Sequence, residues 1–127
     1  MTKKVIVTGG RNYSDKDKVY KTLDDLAPTL VIHGGATGVD EFAHQWAYER
    51  GVEYKQYRAE WKNFDKPCLV KTNKYGKKYN ALAGPNRNTK MLEENQDALV
   101  VAFPGGRGTM DCVTKAKKLG MKVMEIG

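Results

Sequence analysis

Three apolar runs in this chain end directly in a pair of glycines. Residues 5–8 lead into Gly9 and Gly10, residues 30–33 into Gly34 and Gly35, and residues 98–104 into Gly105 and Gly106. A buried strand that passes through glycines into a helix is how α/β proteins build anion sites. Glycine lets the backbone approach a phosphate, and the first free N–H groups of the helix point at it. Three such turns predict a shared ligand, a nucleotide or something similar.

Strand-like and helix-like segments alternate along the whole chain. Apolar and alternating patterns predict five strands, at 4–8, 30–33, 53–57, 98–103 and 122–126. Helical spacing predicts four helices, from after Ser14 to before Pro28 and at 39–50, 85–95 and 109–119. This alternation predicts an α/β fold. We expect a Rossmann-like three-layer sandwich whose parallel five-stranded sheet has the order 3-2-1-4-5, with helices on both faces.

Local sequence adds details to these elements. The polar strand at 53–57 is expected at a sheet edge. The Ser14 hydroxyl is expected to cap the first helix. In the fourth helix, Met110, Val113 and Ala116 are expected to face inward.

Length and composition predict one domain, residues 1–127. No apolar run approaches the ~20 residues of a membrane span, and the first strand begins too early for a signal peptide. Cys68 and Cys112 are far apart and predict free thiols in a reducing cytoplasm. We expect no metal centre, no cofactor and no membrane partner.

The net charge of +7 is concentrated in one segment. Residues 62–90 contain eight basic side chains, Lys66 among them, and one acidic side chain, so the rest of the chain is neutral. We interpret 58–84 as a basic loop insertion that acts as a lid. It either attracts anionic ligands, nucleic acid included, or is a solvated loop. Its aromatic residues Trp61, Phe64, Tyr75 and Tyr79 either stack on a base or cover the sheet edge.

The glycine turns and their neighbours are the candidate ligand-binding residues. They are Gly9, Gly10, Arg11, Asn12, Gly34, Gly35, Ala36, Gly38, Asp40, Arg87, Asn88, Pro104, Gly105, Gly106, Arg107, Gly108 and Thr109. We expect phosphates at 105–109 and the base or ribose near 9–12 and 34–40. Arg87 opens a helix, where a cation is poorly placed unless it serves a ligand.

Two further residues have alternative interpretations. Asp40 either contacts a ribose or base, or holds its own loop in shape. His33 either faces the crevice as a donor or acid/base group, or packs and bonds to backbone. The chain lacks the lysine-containing phosphate loop of P-loop NTPases, and its first turn is not the dinucleotide-binding fingerprint.

Several stretches together resemble the SLOG superfamily. They are Thr-Gly-Gly-Arg-Asn at 8–12, His-Gly-Gly-Ala-Thr-Gly-Val-Asp at 33–40, Trp61, Ala-Gly-Pro-Asn-Arg-Asn at 83–88 with Met91, and Phe-Pro-Gly-Gly-Arg-Gly-Thr at 103–109. The match is to the small stand-alone branch related to YspA and YpsA, found in bacteria and their phages. The resemblance implies a nucleotide-binding Rossmann-like fold, and pairing of two copies is our default expectation.

Two relatives in the superfamily imply different activities. The LOG-type phosphoribohydrolases share the Pro-Gly-Gly-x-Gly-Thr stretch, which implies N-glycosidic cleavage of nucleoside monophosphates with Arg87 as the upstream arginine. Their glutamate position is Cys112 here, with Asp111 one residue early and Asp40 or Glu41 as other sources of a carboxylate. Residues 35–44 are similar to DNA-processing protein A, which implies single-stranded nucleic-acid binding.

Overall fold

The computed structural model describes residues 3–65 and 67–127. Lys66, counted above in the basic segment, lies outside them. The elements in chain order are β1 (Lys4–Thr8), α1 (Lys16–Leu26), β2 (Leu30–His33), α2 (Val39–Arg50), β3 (Glu53–Gln56), β4 (Val70–Thr72), β5 (Lys78–Asn80), α3 (Ala83–Glu93), β6 (Leu99–Ala102), α4 (Arg107–Lys118) and β7 (Val123–Glu125). No helix within the described ranges is long and apolar enough to cross a membrane.

Five parallel strands form the main sheet in the order β3-β2-β1-β6-β7. Because β6 and β7 are the fourth and fifth strands expected from the sequence, the predicted order is confirmed. The order reverses between β1 and β6, and ligands of such sheets lie beyond the carboxyl ends of the strands at that point. The strands that precede the three glycine turns are the central ones, β2, β1 and β6.

Successive residues of the central strands face opposite sides of the sheet. Val5 and Val7 of β1 pack with α1 and α2, whereas Ile6 between them packs with α3 and α4. Strands covered on both faces are apolar at every position, which is why these runs are almost continuous in valine and isoleucine. The predicted three-layer arrangement is therefore confirmed. The outer strand β3 is exposed along most of its length, as its polar sequence predicted.

Two predicted details are wrong. Asp15, not Ser14, caps α1, because the helix begins at Lys16 and the Asp15 side chain accepts a hydrogen bond from the Lys18 N–H at 3.1 Å. Met110 is 69% exposed. The helix α4 begins two residues earlier than expected, and its inward face is formed by Cys112, Val113 and Ala116.

The segment expected to be irregular contains an antiparallel hairpin of β4 and β5. Buried Asn80 connects its parts. The Asn80 Oδ1 accepts hydrogen bonds from the N–H groups of Leu69 at 3.2 Å and Leu82 at 2.9 Å. Its Nδ2 donates to the carbonyls of Asn63 at 3.0 Å and Pro67 at 3.4 Å. One amide side chain thus stabilises a segment whose strands expose most of their residues.

Candidate functional site

The three glycine turns surround a cleft of about 890 Å³ at the carboxyl edge of the sheet. The starts of α3 and α4 and Trp61 of the insertion complete its walls. The predicted residues that line it are Gly9, Gly10, Arg11, Asn12, Gly34, Ala36, Asp40, Arg87, Asn88, Pro104, Gly105, Gly106, Arg107, Gly108, Thr109 and Asp111. Gly35 and Gly38 are not part of this lining, because Gly35 lies against Gln56 and Gly38 against the first turn.

The turns are hydrogen-bonded to one another through Gly10. The Gly10 N–H donates to the Pro104 carbonyl at 2.9 Å, and the Val39 N–H donates to the Gly10 carbonyl at 3.3 Å. A Cβ at Gly38 would collide with the Gly10 carbonyl oxygen, and its φ of +74° disfavours any other residue. A Cβ at Gly105 would collide with the Gly10 nitrogen and the Thr109 side chain. These two glycines are therefore required by the contact between turns.

Gly106 and Gly108 are different. A Cβ at either position would meet no atom within 4 Å, and Gly106 has a φ of −96° that any residue adopts. Gly106 is the N-cap of α4, and no side chain caps this helix end. The first N–H groups of a helix lack partners within it, and residues 106–109 all line the cleft. Neither position requires glycine for the packing of the protein itself.

Asp40 holds the second turn in shape. Its Oδ2 accepts hydrogen bonds from the N–H groups of Gly34 and Ala36, both at 3.2 Å. The residue is 6% exposed, and burial raises the pKa of its carboxyl to about 6 against the lowering effect of those N–H groups and of Arg87 and Arg11. The geometry therefore supports the interpretation of Asp40 as a loop-shaping residue that also lines the cleft.

Arg87 connects α3 to the ends of two strands. Its Nη1 donates to the Gly34 carbonyl and, at 3.4 Å, to the Tyr57 carbonyl. Its Nε donates to Asn88 Oδ1 at 3.0 Å. Burial lowers the pKa of this guanidinium, and nearby Asp40 acts in the opposite direction. Arg87 thus stabilises the fold at the same time as it faces the cleft.

The first turns of α4 bring Asp111 to the cleft and turn Cys112 into the core. Asp111 Oδ2 accepts a hydrogen bond from Asn88 Nδ2 at 3.0 Å and pairs with Lys115 Nζ at 3.1 Å. Cys112 is fully buried, and burial raises the pKa of its thiol to about 11. The carboxylate that faces the cleft from α4 is therefore that of Asp111, one residue before the position where LOG-type enzymes have glutamate.

His33 packs beneath the second turn and bonds to its backbone, which is the second of the two interpretations given above. Its Nδ1 accepts a hydrogen bond from the Gly35 N–H at 3.0 Å, and its Nε2 lies 3.0 Å from Nδ1 of His44. Burial, followed by the neighbouring His44 and Arg87, lowers the pKa of His33 to about 4. His44 had no predicted role, because its contact with His33 joins a strand end to the middle of a helix.

From the sequence, Trp61 either stacks on a base or covers the sheet edge. Its ring lines the cleft, the Arg11 guanidinium lies 6.0 Å from the ring centroid, and the Tyr79 ring centroid lies 6.3 Å from it. Thr8, Tyr13, Gly84, Pro85 and Met91 also contribute to the lining. Within 3–65 and 67–127, no three acidic, histidine or cysteine side chains come together as a metal site would require.

A second cleft, of about 860 Å³, lies on the other side of Arg87 between the end of β3, the insertion and α3. Several of its polar side chains are already paired with one another. Tyr57 donates to Glu94 at 2.7 Å, and Lys55 lies 4.0 Å from the same carboxylate. Of the predicted ligand residues, only Arg87 lines it. It is therefore not lined by the glycine turns that follow β1, β2 and β6.

The chain is similar in sequence to a known protein family and to a phage protein. A family model described as YAcAr, the YspA, cpYpsA-related SLOG family, matches residues 3–64. The Gene 61 protein of Mycobacterium phage D29 is 34% identical across 98% of this chain and 97% of its own length.

Two solved structures are similar along nearly the whole chain. DNA processing protein A (DprA) from Streptococcus pneumoniae matches with a TM-score of 0.76 and 21% identity over 99% of this chain. The chain spans 50% of the length of that structure. A structural-genomics target, TM1055, matches with a TM-score of 0.64 and 26% identity over 96% of this chain and 72% of its own. Both likenesses support the Rossmann-like fold.

Proposed function

Because the chain belongs to the SLOG superfamily, in its YspA- and cpYpsA-related branch, we propose that it binds a nucleotide or nucleotide-derived ligand and senses or sequesters it. The family indicates binding related to nucleotides or nucleic acid. The cleft supports the narrower proposal, because its α4 end suits a phosphate and its volume of about 890 Å³ suits a small molecule. In this proposal residues 1–127 act as one binding domain, and the insertion at 58–84 closes over the ligand.

The observation that carries the proposal is the open space at Gly106 and Gly108. Glycine is an accepted N-cap, but serine, aspartate or asparagine would cap α4 somewhat better because their side chains accept a hydrogen bond from the helix. No protein atom occupies the space next to these two residues. Phosphate oxygens that accept hydrogen bonds from the N–H groups of residues 106–109 would occupy that space and benefit from the helix dipole.

Replacing Gly106 by aspartate tests this proposal. The new side chain fits, and as an N-cap it is expected to hold or raise the melting temperature of the protein. It also places a negative charge where the phosphate binds. We therefore expect Gly106→Asp to weaken the binding of a nucleoside monophosphate at least about 100-fold in calorimetric titration, since like charges placed against each other at a binding site cost several kcal/mol.

Gly106→Asn is the matched control, because asparagine has the same size and also caps a helix but carries no charge. It is expected to bind more weakly than the wild type and clearly more tightly than Gly106→Asp. Equal affinity of wild type and Gly106→Asp, in protein with an unchanged melting temperature, contradicts the proposed phosphate position.

Asp111 favours a second candidate function, cleavage of the N-glycosidic bond of a nucleoside monophosphate. A carboxylate in the cleft can stabilise an oxocarbenium-like transition state, and Asp111 lines the same cleft as Arg87. Release of free base from a panel of nucleoside monophosphates tests it. Base release that is lost in Asp111→Asn favours the enzyme, and bound but intact nucleotide favours the binding protein.

A further inference from the structure

We propose that Trp61 is the platform on which the base of the ligand stacks, so that the cleft selects nucleotides over sugar phosphates. This inference rests on the proposed function and specifies its ligand. The insertion would then recognise the base, while the N-terminus of α4 recognises the phosphate. The two ends belong to different parts of the chain but open into one cleft.

The Trp61 ring is held in place but left accessible. It is 39% exposed. Its edge lies 3.4 Å from where a Cβ on Gly84 would stand, so the glycine makes room for the indole over the start of α3. The Trp61 carbonyl accepts a hydrogen bond from the Asn80 N–H at 2.6 Å, which ties this residue to the hairpin. A residue whose backbone is already fixed and whose ring is partly exposed loses little conformational entropy when the ring stacks on a ligand.

The other aromatic ring of the cleft lining is less available. Tyr13 packs against Phe103, with ring centroids 5.7 Å apart, at the border of the core beneath α1 and α2. Its ring therefore serves the fold. Of the aromatic side chains that the described part of the chain brings to the cleft, Trp61 is the more exposed.

Arg11 supplies a second planar group. Its guanidinium carbon lies 6.0 Å from the centre of the Trp61 ring. Stacked planes are spaced by about 3.4 Å, so a base between the two groups would need about 7 Å. Arg11 is exposed, and a withdrawal of its side chain by about 1 Å makes that space. The base would then lie between an indole and a guanidinium, both of which favour π faces.

The test compares a nucleotide with the same molecule lacking its base. Adenosine 5′-monophosphate and ribose 5-phosphate are titrated by calorimetry into wild type, Trp61→Leu and Trp61→Phe. If the base stacks on Trp61, the wild type should bind the nucleotide with an affinity about 5- to 150-fold higher than that for ribose 5-phosphate. Trp61→Leu is expected to lose most of this preference and Trp61→Phe to keep much of it. The affinity for ribose 5-phosphate should be the same in all three proteins.

Tryptophan fluorescence gives an independent readout, because the chain has two tryptophans in different surroundings. Trp46 is 3% exposed and donates from its indole nitrogen to Asp24 at 2.8 Å. It lies in the core beneath α2 and should not respond to ligand. The nucleotide is therefore expected to change the emission of the wild type and to leave that of Trp61→Phe, which retains Trp46 alone, unchanged.

The outcomes separate this inference from the proposed function. If ribose 5-phosphate binds and the nucleotide binds no more tightly, or if Trp61→Leu keeps the full preference, the role of Trp61 is wrong and the phosphate site stands. If neither probe binds the folded wild type at millimolar concentration, the proposed function is wrong and the Trp61 inference is wrong with it.

Discussion

His33 and Asp40 lie beside the same glycine turn and respond to acid in opposite directions. His33 has a pKa of about 4 in the folded protein, below its ordinary 6.5, so the unfolded chain takes up that proton first and stability falls between these values. Asp40 has a pKa of about 6, above its ordinary 3.8. The folded protein takes up this proton first, which stabilises it as the pH falls from 6 to 3.8. In the wild type the two effects partly cancel.

Asp40→Asn removes one of the two effects. Between pH 6.5 and 4 we expect its free energy of unfolding to decrease by about 3 kcal/mol more than that of the wild type. Urea unfolding at a series of pH values measures this difference. His33→Asn is the opposite control, because it keeps the contribution of Asp40 and lacks the opposing one. Relative to the wild type, its free energy of unfolding should increase as the pH falls from 6.5 to 4. Parallel profiles for wild type and Asp40→Asn would contradict the raised pKa.

At the level of single residues, the sequence predicted which side chains meet but not what each one does. The meeting of residues 9–12, 34–40 and 104–109 follows from parallel strands, whose carboxyl ends share one edge. Which glycines serve the packing of turns, as Gly38 and Gly105 do, depends on distances between distant parts of the chain. The orientation of Asp111 likewise depends on where α4 begins. A shift of one residue there rotates a side chain by roughly 100°.

The insertion is the element that the sequence described least well. Its two strands have three residues each, and all of β4 is exposed. Apolar periodicity, the main signal for a strand, is therefore missing. What organises the segment is the hydrogen bonding of Asn80, a single polar residue whose environment no local pattern reveals. The strands of the main sheet, in contrast, were predicted to within one residue at each end. For the central strands the reason is that they are nearly continuous apolar runs.

Asn80→Asp tests this view of the insertion. Aspartate keeps the shape and the two accepted hydrogen bonds but places an oxygen against the carbonyls of Asn63 and Pro67. Losing buried hydrogen bonds of this kind costs about 1–3 kcal/mol. We expect amide exchange in residues 61–82 to become about 5- to 150-fold faster, whereas exchange in β1, β2 and β6 is unchanged.

Asn73→Asp is the matched control in the same hairpin. The Asn73 Oδ1 accepts hydrogen bonds from the N–H groups of Tyr75 at 2.9 Å and Lys77 at 3.1 Å, and aspartate can accept both. Exchange in this variant should resemble that of the wild type. If both variants exchange alike, the amide donors of Asn80 do not hold the insertion together.

At the scale of the whole molecule, the basic charge and the cleft are largely separate. The cations that line the cleft are Arg11, Arg87 and Arg107. The described lysines of the insertion lie on its exposed surface outside the lining, at 62, 71, 74, 77 and 78. In our proposal they attract anions toward the cleft, as clustered charges of one sign do. The proposed ligand itself contacts the arginines and the backbone of α4.

The salt dependence of binding distinguishes a mononucleotide site from a nucleic-acid surface. For a nucleoside monophosphate we expect the logarithm of the affinity to fall with the logarithm of the salt concentration with a slope of about 2 or less. A single-stranded oligonucleotide that contacts five lysines would show a slope near 3.5, at about 0.7 for each contact. Fluorescence anisotropy with an oligothymidylate measures the second slope. Tight oligonucleotide binding with such a slope would favour the nucleic-acid alternative.

The hydrogen bonds that join the three turns through Gly10 also govern how such a protein can change its specificity. A residue inserted into one turn would disturb these hydrogen bonds and with them the neighbouring turns. The proposed phosphate end of the cleft is therefore difficult to change by altering one turn alone. The insertion has its own polar core around Asn80, and Trp61 approaches the first turn at the Arg11 side chain rather than at the hydrogen bonds of Gly10. We therefore expect proteins with the same three turns to have diverged in ligand choice through this segment, each retaining an inherited phosphate end.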